Sequence, residues 1–184
     1  MRNLINNIRN LLLRLLPAIL ILLSGKHSSA QVLTKYGDDV STLDGIMKAY
    51  YDVVTIKKGE KISHERDSLL HIPGALVGNV VAEKNNRVSL SYNSLKDWHK
   101  ISDPQVEKTG FYEAEIGRKV EIFGGVYHVW STYESRYESA GKVIDRGINS
   151  IELYFDGNRF WIITWVFDAE RPGNNPIPAE YLKK

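Results

Sequence analysis

The chain has 184 residues, 24 Lys and Arg against 22 Asp and Glu, and no cysteine, which excludes disulfides, thiolate metal sites, a cysteine nucleophile and a lipid-modified cysteine anchor. The net charge of +2 is uneven: residues 1–30 hold four bases (Arg2, Arg9, Arg14, Lys26) and no acid, leaving 20 bases against 22 acids, a net charge of −2. No basic patch remains for nucleic acid, and none is expected as a partner.

In chain order, the basic residues of the N-terminus precede the apolar run Leu15–Leu23, interrupted only by Pro17, and Ser28-Ser29-Ala30 offers small residues for a peptidase. This pattern predicts a signal peptide over 1–30, cut before Gln31, and an exported mature protein, periplasmic or extracellular. The apolar run is shorter than the about 20 residues that cross a bilayer, so no stable membrane span is expected after cleavage. An uncleaved interfacial anchor is the alternative. Residues 31–42 read as a polar leader.

From Leu43, apolar residues recur at three- and four-residue intervals behind Ser41-Thr42, predicting an amphipathic helix that ends near Gly59. A second helix is expected over Ser63–His71, stopped by Pro73-Gly74. Strands follow at 75–82 and 87–92 around an Asn85-Asn86 turn, then a short helix from Ser94 to about Ile101, closed by Pro104. Beyond Gly110 four β runs, 111–123, 126–138, 143–155 and 159–170, are separated by Gly-containing turns; Asp156-Gly157 is the strongest hairpin signal. Helices first and a meander last predict an α+β domain over 43–170. In the tail 171–184, the stretch Arg171–Pro178 has three prolines within seven residues, excluding regular structure there; Ile177, Tyr181 and Leu182 suit a lid over a cavity mouth as well as a loose tail.

The segment Phe123-Gly124-Gly125-Val126-Tyr127-His128-Val129-Trp130-Ser131-Thr132-Tyr133-Glu134-Ser135-Arg136, with Arg146–Ile151 and Phe160–Trp165, resembles the nuclear-transport-factor-2-like superfamily, in particular its small SnoaL-like and ketosteroid-isomerase-like members. The resemblance covers about residues 43–170. It implies a cone-shaped half-barrel, a strongly curved, mostly antiparallel sheet wrapped around the N-terminal helices and a central cavity. Members use that cavity for isomerisation, dehydration, cyclisation, ligand binding or plain dimerisation, so the fold does not select a reaction.

On the strand 126–138, His128, Trp130, Thr132, Glu134 and Arg136 share one face, and Tyr127, Val129, Ser131, Tyr133 and Ser135 the other. If the first face looks into the cone, His128 or Glu134 is a general base and Arg136 a partner for an anion. If it looks out, Glu134 and Arg136 form an ordinary surface pair. Asp168, at the end of the last strand, is the third acid/base candidate, although Asp168, Tyr50 and Tyr51 do not align to the isomerase relatives' Asp and tyrosine motif. Trp130 and Trp165 are candidate ligand-wall residues, alternatively core. Asn149 shares the parity of Ile151 and needs a partner or ligand for its amide. Trp161, Ile163, Trp165 and Phe167 form one apolar parity.

His64, His71 and His99 lack metal-ligand spacing and no phosphate loop occurs, so no metal and no cofactor is expected. Three functions remain: an exported binder of a small apolar or weakly acidic ligand, a cofactor-independent lyase or isomerase, and a homodimerisation module using Tyr127, Val129 and Tyr133.

Overall fold

A computed structural model describes residues 35–183, except 172 and 174. The predicted signal peptide and residues 31–34 of the leader lie outside the described residues. The described residues from Asp38 onward form one compact unit, which holds every element below.

This unit begins with α1 (Asp38–Ser41), so the segment read as leader already contributes a buried side chain, Val40. Next comes α2 (Leu43–Val54), capped by Thr42, whose hydroxyl accepts the Gly45 N–H at 2.9 Å. Its apolar stripe, Ile46, Met47, Ala49, Tyr50, Tyr51 and Val53, is buried. The helix ends five residues before Gly59 because Ile56 pairs with Phe111: each N–H donates to the other's carbonyl, at 2.8 and 2.9 Å.

Helix α3 (His64–Leu70), capped by Ser63, runs straight into β1 (His71–Ala82). Pro73-Gly74 therefore lies inside a strand. It is tolerated because β2 (Val88–Ser94) pairs only with residues 76–82 of β1, and because the β1–β6 register skips from His71↔Ile162 to Leu76↔Thr164, leaving the proline unpaired. Helix α4 (Leu95–Thr109) continues through Pro104 to a Gly110 cap. Contacts on both sides of the proline hold it: Asp103 is buried against α3, and Glu107 pairs with Lys61 while its carbonyl accepts the Gly59 N–H at 2.7 Å.

The strands β3 (Tyr112–Phe123), β4 (Val126–Arg136), β5 (Asp145–Phe155) and β6 (Phe160–Ala169) form the expected meander, with Gly157 taking φ of 95° in the last turn. The sheet order is β2-β1-β6-β5-β4-β3, antiparallel except for the parallel β1–β6 pair. It is open, and α2 packs on its inner face, where Val77, Val129, Ile151, Leu153 and Ile162 are fully buried. A bulge at Ile163 corrects the expected parity of β6: Glu152 pairs with Thr164 and Leu153 with Ile162, so Phe160 and Ile162 point inward before it and Trp165 and Phe167 after it. Among the described residues no helix is long and apolar enough to cross a membrane.

The tail folds back, but across the outer face of the sheet. A 3-10 turn at Ala179–Leu182 docks on β3 and β4: the Thr132 hydroxyl donates to the Tyr181 carbonyl at 2.6 Å, and the Arg118 N–H to the Lys183 carbonyl at 2.9 Å. Glycine at 117 permits this approach, since a Cβ there would lie 2.1 Å from the Tyr181 carbonyl oxygen. Gly117→Ala is expected to release the turn at a cost of about 1–3 kcal/mol, measured as a lower melting temperature and as carboxypeptidase trimming of the tail that the unaltered protein resists.

Candidate functional site

The inner face of the sheet and the helices enclose a cavity of about 420 Å³. Helix α2 contributes Tyr50 and Val54, α4 contributes Trp98 and Val106, and the sheet contributes Tyr133, Ser135, Asn149, Trp165 and Phe167. The aromatic wall follows from strand parity, because the inward side of β4 is the one containing Val129, which sits opposite Ile151 in the sheet centre.

Toward one end, Glu113, Ser135 and Asp145 lie in register across β3, β4 and β5. The Ser135 hydroxyl donates to Glu113 Oε2 at 3.1 Å, and the Tyr133 hydroxyl to Asp145 Oδ2 at 3.4 Å. Burial pushes the Glu113 carboxyl up to about 7 against the stabilising Ser135 hydrogen bond, and the nearby Asp145 charge pushes the same way. Burial also raises Asp145, and raises the Tyr133 phenol with the help of Asp145 and Glu113. A carboxyl that exchanges its proton near neutrality, beside two hydroxyls in an aromatic cavity, can act as a hydrogen-bond donor, an acceptor or a general acid/base.

A polar chain runs beneath this floor. Asn149 Nδ2 donates to the Tyr51 hydroxyl at 3.2 Å, which lies 2.6 Å from Ser131 Oγ; Ser131 donates to Glu115 at 2.6 Å, and Arg118 joins Glu115 to Asp44. The Asn149 amide thus finds the partner its position required.

On the α4 side, His99 places Nδ1 3.1 Å from Asp103 Oδ1 and Nε2 2.8 Å from Asp67 Oδ2. His64 Nε2 is 2.6 Å from Asp103 Oδ2. His71 Nδ1 donates to the Asp67 carbonyl at 2.7 Å, and its ring lies against Trp165. Burial disfavours the His99 cation, but the two carboxylates outweigh it and raise the group; burial lowers His71. Histidines that look scattered along the chain are therefore gathered, because α3 and α4 pack side by side.

The other sequence candidates lie elsewhere. His128, Trp130, Glu134 and Arg136 are on the outer face: Arg136 pairs with Glu134, His128 meets Ser150 Oγ at 3.0 Å, and Trp130 packs against Tyr181 of the tail. Asp168 is held at the strand end by Arg171 and by Asn175, whose Nδ2 is 3.1 Å away. Only Asn149 and Trp165 of the predicted set line the cavity. Val129 and Tyr133, set aside for a dimer interface, are buried inside the fold, and Tyr127 packs edge-on against Phe160. The cavity residues Glu113, Tyr133 and His99 were missed. For Tyr133 the one signal was register, since an inward Val129 brings Tyr133 and Ser135 with it; Glu113 and His99, on β3 and α4, carried none.

The order of helices, strand pair, helix and meander, wrapped around a cavity, matches what the sequence resemblance implies. The described residues form an α+β architecture of the kind that resemblance implies, an open six-stranded mixed sheet with helices on its inner face. Among solved structures, the chain is similar to a nuclear-transport-factor-2-like protein of unknown function from Silicibacter pomeroyi (14% identity, 70% of this chain and 92% of that one, TM-score 0.44). It is also similar to a candidate ketosteroid isomerase from Parabacteroides distasonis (10%, 71% and 89%, TM-score 0.46). A third is the β subunit of a candidate aromatic-ring-hydroxylating dioxygenase from Novosphingobium aromaticivorans (15%, 78% and 94%, TM-score 0.45). No family model and no curated protein sequence matches the chain. These likenesses transfer no activity to the cone described here.

The raised Glu113 carboxyl sets a pH dependence. The unfolded chain releases this proton near 4.5 and the folded one near 7, so the folded state binds more protons in between and stability falls as pH rises through that window. Glu113→Gln is expected to remove a decline of about 2–3 kcal/mol between those limits, read from urea midpoints at several pH values.

Proposed function

We propose that this chain is an exported small-molecule-binding protein whose cone cavity takes a flat, largely apolar molecule bearing an amine or another hydrogen-bond donor. The observation that carries the reading is the composition of the cavity of about 420 Å³: aromatic walls, carboxyl groups at one end (Glu113, Asp145) and on the α4 flank (Asp67, Asp103), and no Lys or Arg among its lining residues. That volume suits a ligand of one or two rings, since drug-sized sites span roughly 300–1,000 Å³. Glu113 and Asp145 favour a donor or cation and disfavour an acid. The ligand class therefore moves from apolar or weakly acidic to apolar with a donor, because Arg136 is engaged by Glu134 on the far side of the sheet.

A second reading, a cofactor-independent lyase or isomerase, is favoured by the placement of Glu113, a buried carboxyl lining the cavity 3.1 Å from the Ser135 hydroxyl, which burial pushes up to about 7. In that reading Glu113 takes or delivers a proton while the hydroxyls of Tyr133 and Ser135 hydrogen-bond the reacting oxygen.

Tryptophan fluorescence follows binding directly, since Trp98 and Trp165 line the cavity. In titrations, 1-naphthylmethylamine and 1-naphthylmethanol are expected to saturate, 1-naphthoate to bind at least about tenfold more weakly, and Glu113→Gln to erase the amine's advantage over the alcohol. Equal binding of the carboxylate, or no saturation by any of the three, would count against the reading. Deuterium exchange into cyclic ketones above the buffer rate, lost in Glu113→Gln, would select the catalytic alternative.

Export rests on the basic and apolar pattern of residues 1–30. The expected product is a periplasmic or secreted protein whose intact mass and N-terminal sequence begin at Gln31; a cytoplasmic protein retaining Arg2 overturns it.

A further inference from the structure

The histidines on α3 and α4 form an arrangement away from Glu113 and Asp145, the carboxyl groups on which the ligand reading rests. The ligand atoms of His64, His99 and Asp103 all lie within 4.8 Å of one another. His64 Nε2 and His99 Nδ1 approach the two different oxygens of Asp103, at 2.6 and 3.1 Å, and the imidazoles are 4.2 Å apart between centroids. Two imidazole nitrogens and a carboxylate oxygen are a donor set for a borderline divalent ion such as zinc, and small side-chain rotations would take them from direct contact to the spacing that metal–donor bonds of about 2.0–2.2 Å require.

Asp67 separates this cluster from a simple string of hydrogen bonds. It is a buried carboxylate, and Oδ2 stands 2.8 Å from Nε2 of His99, the ring nitrogen remote from Asp103. A carboxylate behind an imidazole can orient a ligating histidine and raise its basicity; here the two groups stand in ion-pair contact without hydrogen-bond geometry, so Nε2 is left for Asp67 to take up when Nδ1 binds an ion. Asp67 is itself held in place, its carbonyl accepting from His71 Nδ1.

The donors are set by helix geometry: His64 and Asp67 are three apart on α3, and His99 and Asp103 four apart on α4, so each pair shares a face. All three donor residues also line a groove of about 890 Å³ on the outside of the α3–α4 contact, next to Pro73 and Gly74, and the His64 side chain is 59% exposed. An ion and its remaining water ligands can therefore reach them.

We propose that His64, His99 and Asp103 form a binding site for a divalent transition metal, zinc in the first instance, with Asp67 as the positioning residue behind His99. The site does not involve Glu113 or Asp145, but His99, Asp103 and Asp67 also line the α4 flank of the cone cavity, so the two sites share a wall.

Isothermal titration of zinc chloride into the full chain stripped with a chelator tests the proposal, with X-ray absorption on the zinc-loaded protein. The expected result is one zinc per chain with two imidazoles in its first shell. His64→Ala, at an exposed position that leaves the core intact, should weaken binding at least about tenfold, and Asp67→Asn by about 10–100-fold. His128→Ala, which removes an imidazole near Glu121 and Glu152 on the outer face of the sheet, should leave the affinity unchanged. Absence of zinc binding, a first shell without imidazole, unaltered affinity in His64→Ala, or loss in His128→Ala would each overturn it.

Discussion

Everything in this cone depends on the pairing of Val129 with Ile151 at the centre of the sheet. Both side chains are fully buried against α2, and with a period of two along each strand their inward placement decides the direction of every neighbour. Tyr133 and Ser135 follow Val129 inward, Asn149 follows Ile151, and the polar set His128, Glu134 and Arg136 is turned to the outer face. Burying Val129 and Ile151 is worth several kcal/mol more than burying the polar alternatives, whose charges would need partners that the apolar stripe of α2 does not offer.

Within that frame a chain of interior polar groups is satisfied by side-chain hydrogen bonds, while His71 Nε2 and His99 Nε2 are buried without a hydrogen-bond partner. The chain from Asn149 through Tyr51 and Ser131 to Glu115 and Arg118 carries hydrogen bonding from the core to the surface charge of Asp44, and satisfies groups that would otherwise be costly to bury. Glu113 has no such cationic neighbour: its listener is the Ser135 hydroxyl, and burial wins, leaving its proton exchangeable near neutrality. The acidic end of the cavity and the aromatic walls together specify the kind of ligand proposed, through charge and shape and without any cation.

Three irregularities make the cone possible. The bulge at Ile163 lets β6 present Phe160 and Ile162, then Trp165 and Phe167, to the same core. The skip around Pro73-Gly74 lets β1 start directly from α3, which brings His71 under Trp165. The register shift between Glu115 and Gly117 in β3 precedes the glycine over which the tail turn passes. Each interrupts regular pairing at one residue or a few and bends the strand that carries it.

The element order was legible in the sequence because local signals carry it: the spacing of apolar residues on α2, the Ser63 and Ser94 caps, and turn glycines that separate strands whose ends fall within a few residues of their expected places. Helix ends set by partners were not legible, since Ile56 leaves the helix to meet Phe111 and Pro104 is held inside α4 by contacts from α3 and Lys61. The candidate site was legible only for Asn149 and Trp165, whose strand mates are strongly apolar. On β4 both parities contain aromatic and polar side chains, so sequence alone leaves the inward face open, and Glu113, His64 and His99 gain meaning only from neighbours distant in the chain. Short-range propensity and periodicity determined the list of elements; which side chains share a cavity was decided by register and helix packing, because those are set by the burial of residues on other strands.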